Sequence, residues 1–230
     1  MKVRETFVLA SLLWTLGPDL DTHPASAQSV PAASQPSAQS EPAPQPGDDA
    51  LMQSYDFESS DKLKDALAAL DQLPPARKTS YLGWARRGWL QYRLGLHLEA
   101  IESYHKAIAV TPQAVEPRLG LMLPQLALHR WADAEATAKE ALRIDPGSYL
   151  ATLRLAFVYY NQRRYAESAT RYQRLRELYP SDTDARAGLA WALLKLGKNQ
   201  EAAREFRDLL AINPRLAVAR QGLQLAGAAR

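Results

Sequence analysis

The chain has 230 residues, 47% of them apolar and 23% charged, with a formal net charge of +3 and no cysteine. That length suits one core or one elongated array. The absence of thiols excludes a disulfide framework, a thiolate nucleophile or metal site, and a cysteine lipid anchor.

Lys2 and Arg4 open the chain as a short basic stretch, and Thr6 to Gly17 is uncharged and mostly apolar. Twelve helical residues span about 18 Å, short of the roughly 30 Å of a bilayer core. Ala25-Ser26-Ala27 then offers a small-x-small pattern for signal peptidase, with Gln28 as the new N-terminus. Residues 1–27 therefore read as a secretory signal, with an uncleaved N-terminal anchor as the alternative. Export is expected, with the periplasm as the best fit and no transmembrane span in the mature chain. Residues 28–47 are rich in Pro, Ala, Ser and Gln with one charge, Glu41. They hold too little apolar surface to offset the entropy of ordering and read as an extended tether.

Beyond the leader, Pro112, Pro146, Pro180 and Pro214 stand 34 residues apart, each closing a similar phrase. Twelve residues before each proline stand Ala100, Ala134, Ser168 and Ala202. Eight before stand Tyr104, Ala138, Tyr172 and Phe206, and five before stand Ala107, Ala141, Leu175 and Leu209. A periodic proline marks a periodic helix end, because proline cannot continue a helix. A periodic small residue marks a close approach of two helices, and an aromatic four residues later shares its face. Leu94-Gly95, Arg163-Arg164 and Leu196-Gly197 read as the turns between the helices of each unit.

This pattern resembles the tetratricopeptide repeat family, whose unit is a 34-residue helix-turn-helix. Trp84 and Gly88 match its first-helix positions, and Ala100, Tyr104, Ala107 and Pro112 its second-helix positions. Four units cover residues 81–214. Subtracting 34 from Ala100 gives Ala66, so residues 48–80 read as a degenerate unit, with helices over Asp48–Phe57 and Asp61–Leu73. Residues 215–230 hold a capping helix over Leu216–Leu225, which a stacked array needs to solvate its end. The expected fold is all-α: a right-handed helix-turn-helix solenoid of ten repeat helices with a C-terminal cap. Pro124 falls inside a first helix, where it predicts either a kink or a defect that neighbouring helices support.

The resemblance also implies that first helices line an inner surface, with the ninth and twelfth residues of each unit facing it. Those places hold Tyr55, Trp89, Leu123, Phe157 and Trp191, then Glu58, Tyr92, Leu126, Tyr160 and Leu194. Arg93, Asn161 and Lys195 follow at the thirteenth. The largely apolar and aromatic members of this set suit an extended segment or amphipathic helix of an envelope protein. Two alternatives stay open: packing between first helices, and occupancy by the leader or a second copy of the chain.

Residues 79–230 carry 22 bases and 14 acids, a net +8. Arg154, Arg163, Arg164, Arg171, Arg174 and Arg176 crowd the third full unit. They suggest an alternative function, binding of an anionic envelope glycan or lipid. Most are expected on solvated faces, with pairs such as Arg174–Glu177. Nucleic acid is disfavoured by export. His97, His105 and His129 have no metal-ligand spacing, and no phosphate loop or nucleophile elbow occurs. Trp84 and Trp131 read as hairpin core. No catalytic residue, cofactor or metal is expected.

Overall fold

A computed structural model of the chain describes residues 48–228. It gives α1 (Asp48–Ser59), α2 (Leu63–Ala69), a 3-10 turn (Leu70–Gln72), α3 (Pro75–Lys78), α4 (Tyr81–Arg93) and α5 (His97–Val110). There follow α6 (Glu116–Ala127), α7 (Trp131–Ile144), α8 (Tyr149–Asn161), α9 (Tyr165–Leu178), α10 (Thr183–Lys195), α11 (Asn199–Ile212) and α12 (Ala217–Ala228). No strand occurs among the described residues. Ten repeat helices and a terminal helix are present, with the single-turn α3 added behind Pro74. The readings of 1–27 and 28–47 fall outside the described residues.

Local chemistry sets the helix ends. The residue before each periodic proline leaves the helical region, with φ −133 at Thr111, −126 at Asp145, −128 at Tyr179 and −133 at Asn213. Proline's ring demands this of its predecessor. First helices α4, α8 and α10 start on Ser80, Ser148 and Asp182, whose side chains accept backbone N–H bonds from the first turn. Within each unit the turn passes through one left-handed residue: Asp61, Gly95, His129, Arg163 or Gly197, with φ between 55 and 78. Glycine adopts this freely. Asp61 is thus a turn residue, and α2 begins at Leu63 rather than at Asp61. Pro124 does not break α6, which runs through it with the ring buried.

The small column packs as its spacing implies: Ala100, Ala134, Ser168 and Ala202 are fully buried. Ser168 fits this column because its hydroxyl donates to the Ala156 carbonyl at 2.8 Å. The ring column reaches across to the following unit. A Cβ at Gly120 would stand 2.3 Å from the Tyr104 ring, one at Gly188 2.3 Å from Tyr172, and one at Gly222 2.1 Å from Phe206. The missing side chains let three rings seat against the next first helix. Gly222 lies on α12, so the terminal helix docks as the first helix of a further unit would.

α1 packs on α2, and each helix from α3 onward packs on the next in sequence. First helices also touch first helices of the adjoining unit: α4 on α6, α6 on α8, α8 on α10 and α10 on α12. These contacts put the first helices along one face of a stacked array, as expected for the solenoid. Two tryptophans depart from the sequence reading. Trp84 and Trp131 are half-buried rather than core. Lys106 Nζ stands 4.5 Å from the Trp84 ring centroid, and Trp131 stacks on His129 at 5.0 Å.

Candidate functional site

The first-helix face carries the residues picked out from sequence, and it treats them in two ways. At its N-terminal end Tyr55, Trp89, Tyr92 and Arg93 come together around a carboxylate, that of Glu58. Trp89 Nε1 donates to Glu58 Oε1 at 2.6 Å and Arg93 Nη1 to the same oxygen at 3.2 Å. Arg86 Nη1 pairs with Glu58 Oε2. Arg86 is buried, bonded also to Ser54 Oγ at 3.1 Å and the Ser54 carbonyl at 2.8 Å. Its guanidinium lies 3.8 Å from the centroid of the Tyr55 ring, which is 43% exposed. Trp89 and Tyr92 meet at 6.0 Å. Glu58 holds this cluster, and α1 supplies it to residues of α4.

The middle of the face is closed. Leu123 and Leu126 on α6 are 8% and 4% exposed, Phe157 on α8 is 7%, and Trp191 on α10 is 3%. Phe157 meets Trp131 edge-on at 6.1 Å, and Trp191 meets Phe206 in the same way at 5.5 Å. These four side chains pack between helices and offer little surface. Tyr160, Asn161, Leu194 and Lys195 are half-buried at the far end. Asn161 Nδ2 bonds back to the Phe157 carbonyl at 2.9 Å, and Tyr160 meets Tyr165 edge-on.

The arginines of the third full unit do not form one free patch. Arg154 is buried on α8, where Nη1 donates to the Leu119 carbonyl. Arg176 pairs with Glu205. Glu177 accepts from Gln173 at 2.7 Å rather than pairing with Arg174. Arg164 joins Glu167 and Glu135, and Glu135 also accepts from Lys139 at 2.7 Å and Gln162 at 2.9 Å. Burial alone would raise the Glu135 carboxyl, but these donors outweigh it and pull it down to about 2. The pairing therefore stabilises the fold above the ordinary carboxylate range and is lost as pH falls from about 4.5 towards 2. Glu135→Gln is expected to flatten the acid limb of a stability–pH profile across that window. Denaturant melts at intervals from pH 2 to 7 check this, and an unchanged acid limb would discard the network's role.

Among the described residues, no three His, Asp or Glu side chains are placed to hold a metal, and no helix is long and apolar enough to cross a membrane. The sequence did not reveal the roles of one half-buried and one buried residue of this face. One is Glu58, named at its twelfth place but given no role, and the other is Arg154, grouped with the arginines of the third full unit. The signal for Arg154 is the sixth place of the units, which runs Arg86, Gly120, Arg154 and Gly188, and the one for Glu58 is that it stands 28 residues before Arg86.

No protein curated for function matches the chain by sequence. Solved structures share its fold at low identity. A tetratricopeptide repeat protein from Parabacteroides merdae aligns with a TM-score of 0.72 and 21% identity, covering 81% of this chain and 74% of that one. The thermophilic TPR protein TTC0263 of Thermus thermophilus aligns at 0.60 and 19%, covering 79% and 99%. YrrB, a TPR protein with an unusual peptide-binding site, aligns at 0.65 and 15%, covering 76% and 90%. A tetratricopeptide repeat family model matches residues 85–149 and 153–217, and a second matches 125–179. With its helix pairs, its buried small-residue column and a family match over more than half its length, the chain belongs to the tetratricopeptide repeat family.

Proposed function

We propose that this protein is a non-enzymatic scaffold, outside the cytoplasm, that holds a segment of a partner protein against its first-helix face. The observation that carries this is the cluster of Tyr55, Trp89, Tyr92 and Arg93. It sets an exposed Tyr55 ring and the exposed Arg93 beside the half-buried Trp89 and Tyr92, with Trp89 and Arg93 held in place by Glu58. Aromatic and arginine side chains of this kind dominate protein recognition. YrrB supports the reading as a relative in fold that carries a peptide-binding site. The export signal read at residues 1–27 supports work in the envelope, and the family resemblance suggests assembly, secretion or exopolysaccharide export. The glycan or lipid alternative is weakened because Arg154 is buried and Arg164 and Arg176 are paired.

A photoreactive phenylalanine analogue at Tyr55 or Tyr92, against His105 on a second helix, tests this in the exporting cell. Crosslinks to another protein from the first two positions and not from the third are expected. Equal crosslinking from all three, or none from any, would sink the reading. Crosslinks only between copies of the chain would replace it with self-assembly. Intact mass of the purified protein checks export, since cleavage leaves Gln28 first and a full-length chain points to an anchor.

A further inference from the structure

The grooves between neighbouring second helices repeat with the units, so two of them compare residue by residue. Between α7 and α9 the groove is filled from within. Tyr159 is 5% exposed and packs in one cluster with Leu155 and Leu142. The Arg164 guanidinium lies 4.2 Å from the Tyr159 ring centroid. Arg164 also meets the Glu135 carboxylate at 2.8 Å, which Lys139 meets at 2.7 Å. Between α9 and α11, 34 residues on, the counterparts of Tyr159 and Glu135 are Leu193 and Ala169, and those of Arg164 and Lys139 are Lys198 and Gln173. Neither a ring nor a carboxylate stands at those two places, and a cavity of about 460 Å³ opens there, with Leu189 and Leu193 of α10 in its lining. A cation is kept, but with fewer partners. Arg164 has both Glu167 and Glu135, whereas Lys198 has only the counterpart of the first, Glu201, at 3.4 Å. Arg204 adds a further cation to the lining where the earlier groove has Thr170. It is exposed, and no carboxylate among the described residues pairs with it. Glu205 is already held, by Arg176 and by Arg186. Of the charged residues lining the cavity, Arg176, Lys198 and Arg204 outnumber Glu201 and Glu205 by one.

Ligand sites are concave, of roughly 300–1,000 Å³, with an apolar lining and a few placed polar groups. We propose that the cavity between α9 and α11 binds a small aromatic carboxylate. Its ring lies on Leu189 and Leu193, as the Tyr159 ring lies in the earlier groove, and its carboxylate meets Lys198 and Arg204, as Glu135 meets Arg164. The two residues that differ between the grooves name the two parts of the ligand, a ring and an anion. The positive excess selects a carboxylate over an amine. The Lys198 and Arg204 stems are long enough to lie along the ring while their heads reach the anion. The site is lined mainly by second helices and uses none of the Tyr55 cluster, so it stands whether or not the first-helix face holds a partner.

Titration calorimetry of the purified chain with phenylacetate, phenylacetamide and acetate tests this, and backbone amide resonances locate the site. Phenylacetate is expected to bind about fivefold more tightly than phenylacetamide, the gain one partly exposed ion pair supplies. Acetate, which has the charge and no ring, is expected to bind more weakly than phenylacetate. Resonance shifts are expected in residues 169–176 and 198–205 and not around Tyr55. Lys198→Gln together with Arg204→Gln alters exposed side chains only and is expected to remove the preference for the acid over the amide. Ala169→Glu together with Leu193→Tyr restores the pattern of the earlier groove and is expected to abolish binding of both. Should that pair fail to fold, the glutamine pair carries the test. Equal affinity for acid and amide overturns the proposal, as does acetate binding as tightly as phenylacetate. A preference that survives the glutamine pair, shifts confined to other residues, or no binding at millimolar concentration overturns it as well. Each of these outcomes leaves the scaffold reading to the crosslinking above.

Discussion

Glu58→Ala is expected to cost roughly 3–5 kcal/mol, the usual penalty for removing one partner of a buried ion pair. The Arg86 side chain is 5% exposed and its carboxylate partner 15% exposed, so little water is at hand to replace the lost charge. Ser54 still accepts two of the guanidinium's bonds, which favours the lower end of that range. The loss is expected to be local. Stability in a repeat array is close to a sum of unit and neighbour terms, so α1 and α2 should detach from α4 while later units stay folded. Amide exchange should show this directly, with protection falling in residues 48–73 and persisting in α8 to α11. Glu58→Gln should cost nearly as much, since it keeps an acceptor for Trp89 but not the charge. Joint replacement of Glu58 and Arg86 by leucine should recover most of the loss. A Glu58→Ala protein as stable as the parent would show that the pair does not hold the first unit to the array.

Phe206→Ala is the second large effect, also about 3–5 kcal/mol for emptying a buried ring site. The ring is fully buried, meets Trp191 edge-on at 5.5 Å and lies against the backbone at Gly222. Among the described residues α12 packs on α11 and α10, so undocking of α12 should accompany the loss. Near-ultraviolet circular dichroism from Trp191 and urea melts report the two together. A coupled test separates the steric part. Gly222→Ala in the parent should cost about 1–3 kcal/mol through overpacking, because its Cβ would stand 2.1 Å from the ring. In the Phe206→Ala background the same change should be close to neutral. Additive effects would mean that ring and glycine are not complementary.

The residues that ended helices were readable because they act on their own neighbours. Pro112, Pro146, Pro180 and Pro214 force the preceding residue out of the helix wherever the chain then goes. The buried small column was readable for a related reason, since its period coincides with that of the proline. The groove residues were readable only in part. Tyr55 and Trp89 share a column with Leu123, Phe157 and Trp191, yet Tyr55 is 43% exposed and the last three are buried. Nothing within a unit tells these apart, because exposure depends on the first helix stacked beside it.

By itself the sequence determined the unit, its 34-residue length, the helix order and the terminal helix, all of which follow from short-range backbone chemistry repeated in phase. The tertiary structure alone decided that Glu58 is the centre of the open cluster and that Arg154 is buried without a carboxylate. The physical reason is the stacking of units. Residues 28 apart in sequence meet across a unit boundary, and whether a ring or a smaller side chain stands in the helix between them decides if an arginine has room there. Charge counted along the chain placed Arg154 among the arginines of the third full unit; packing across the boundary turned it inward.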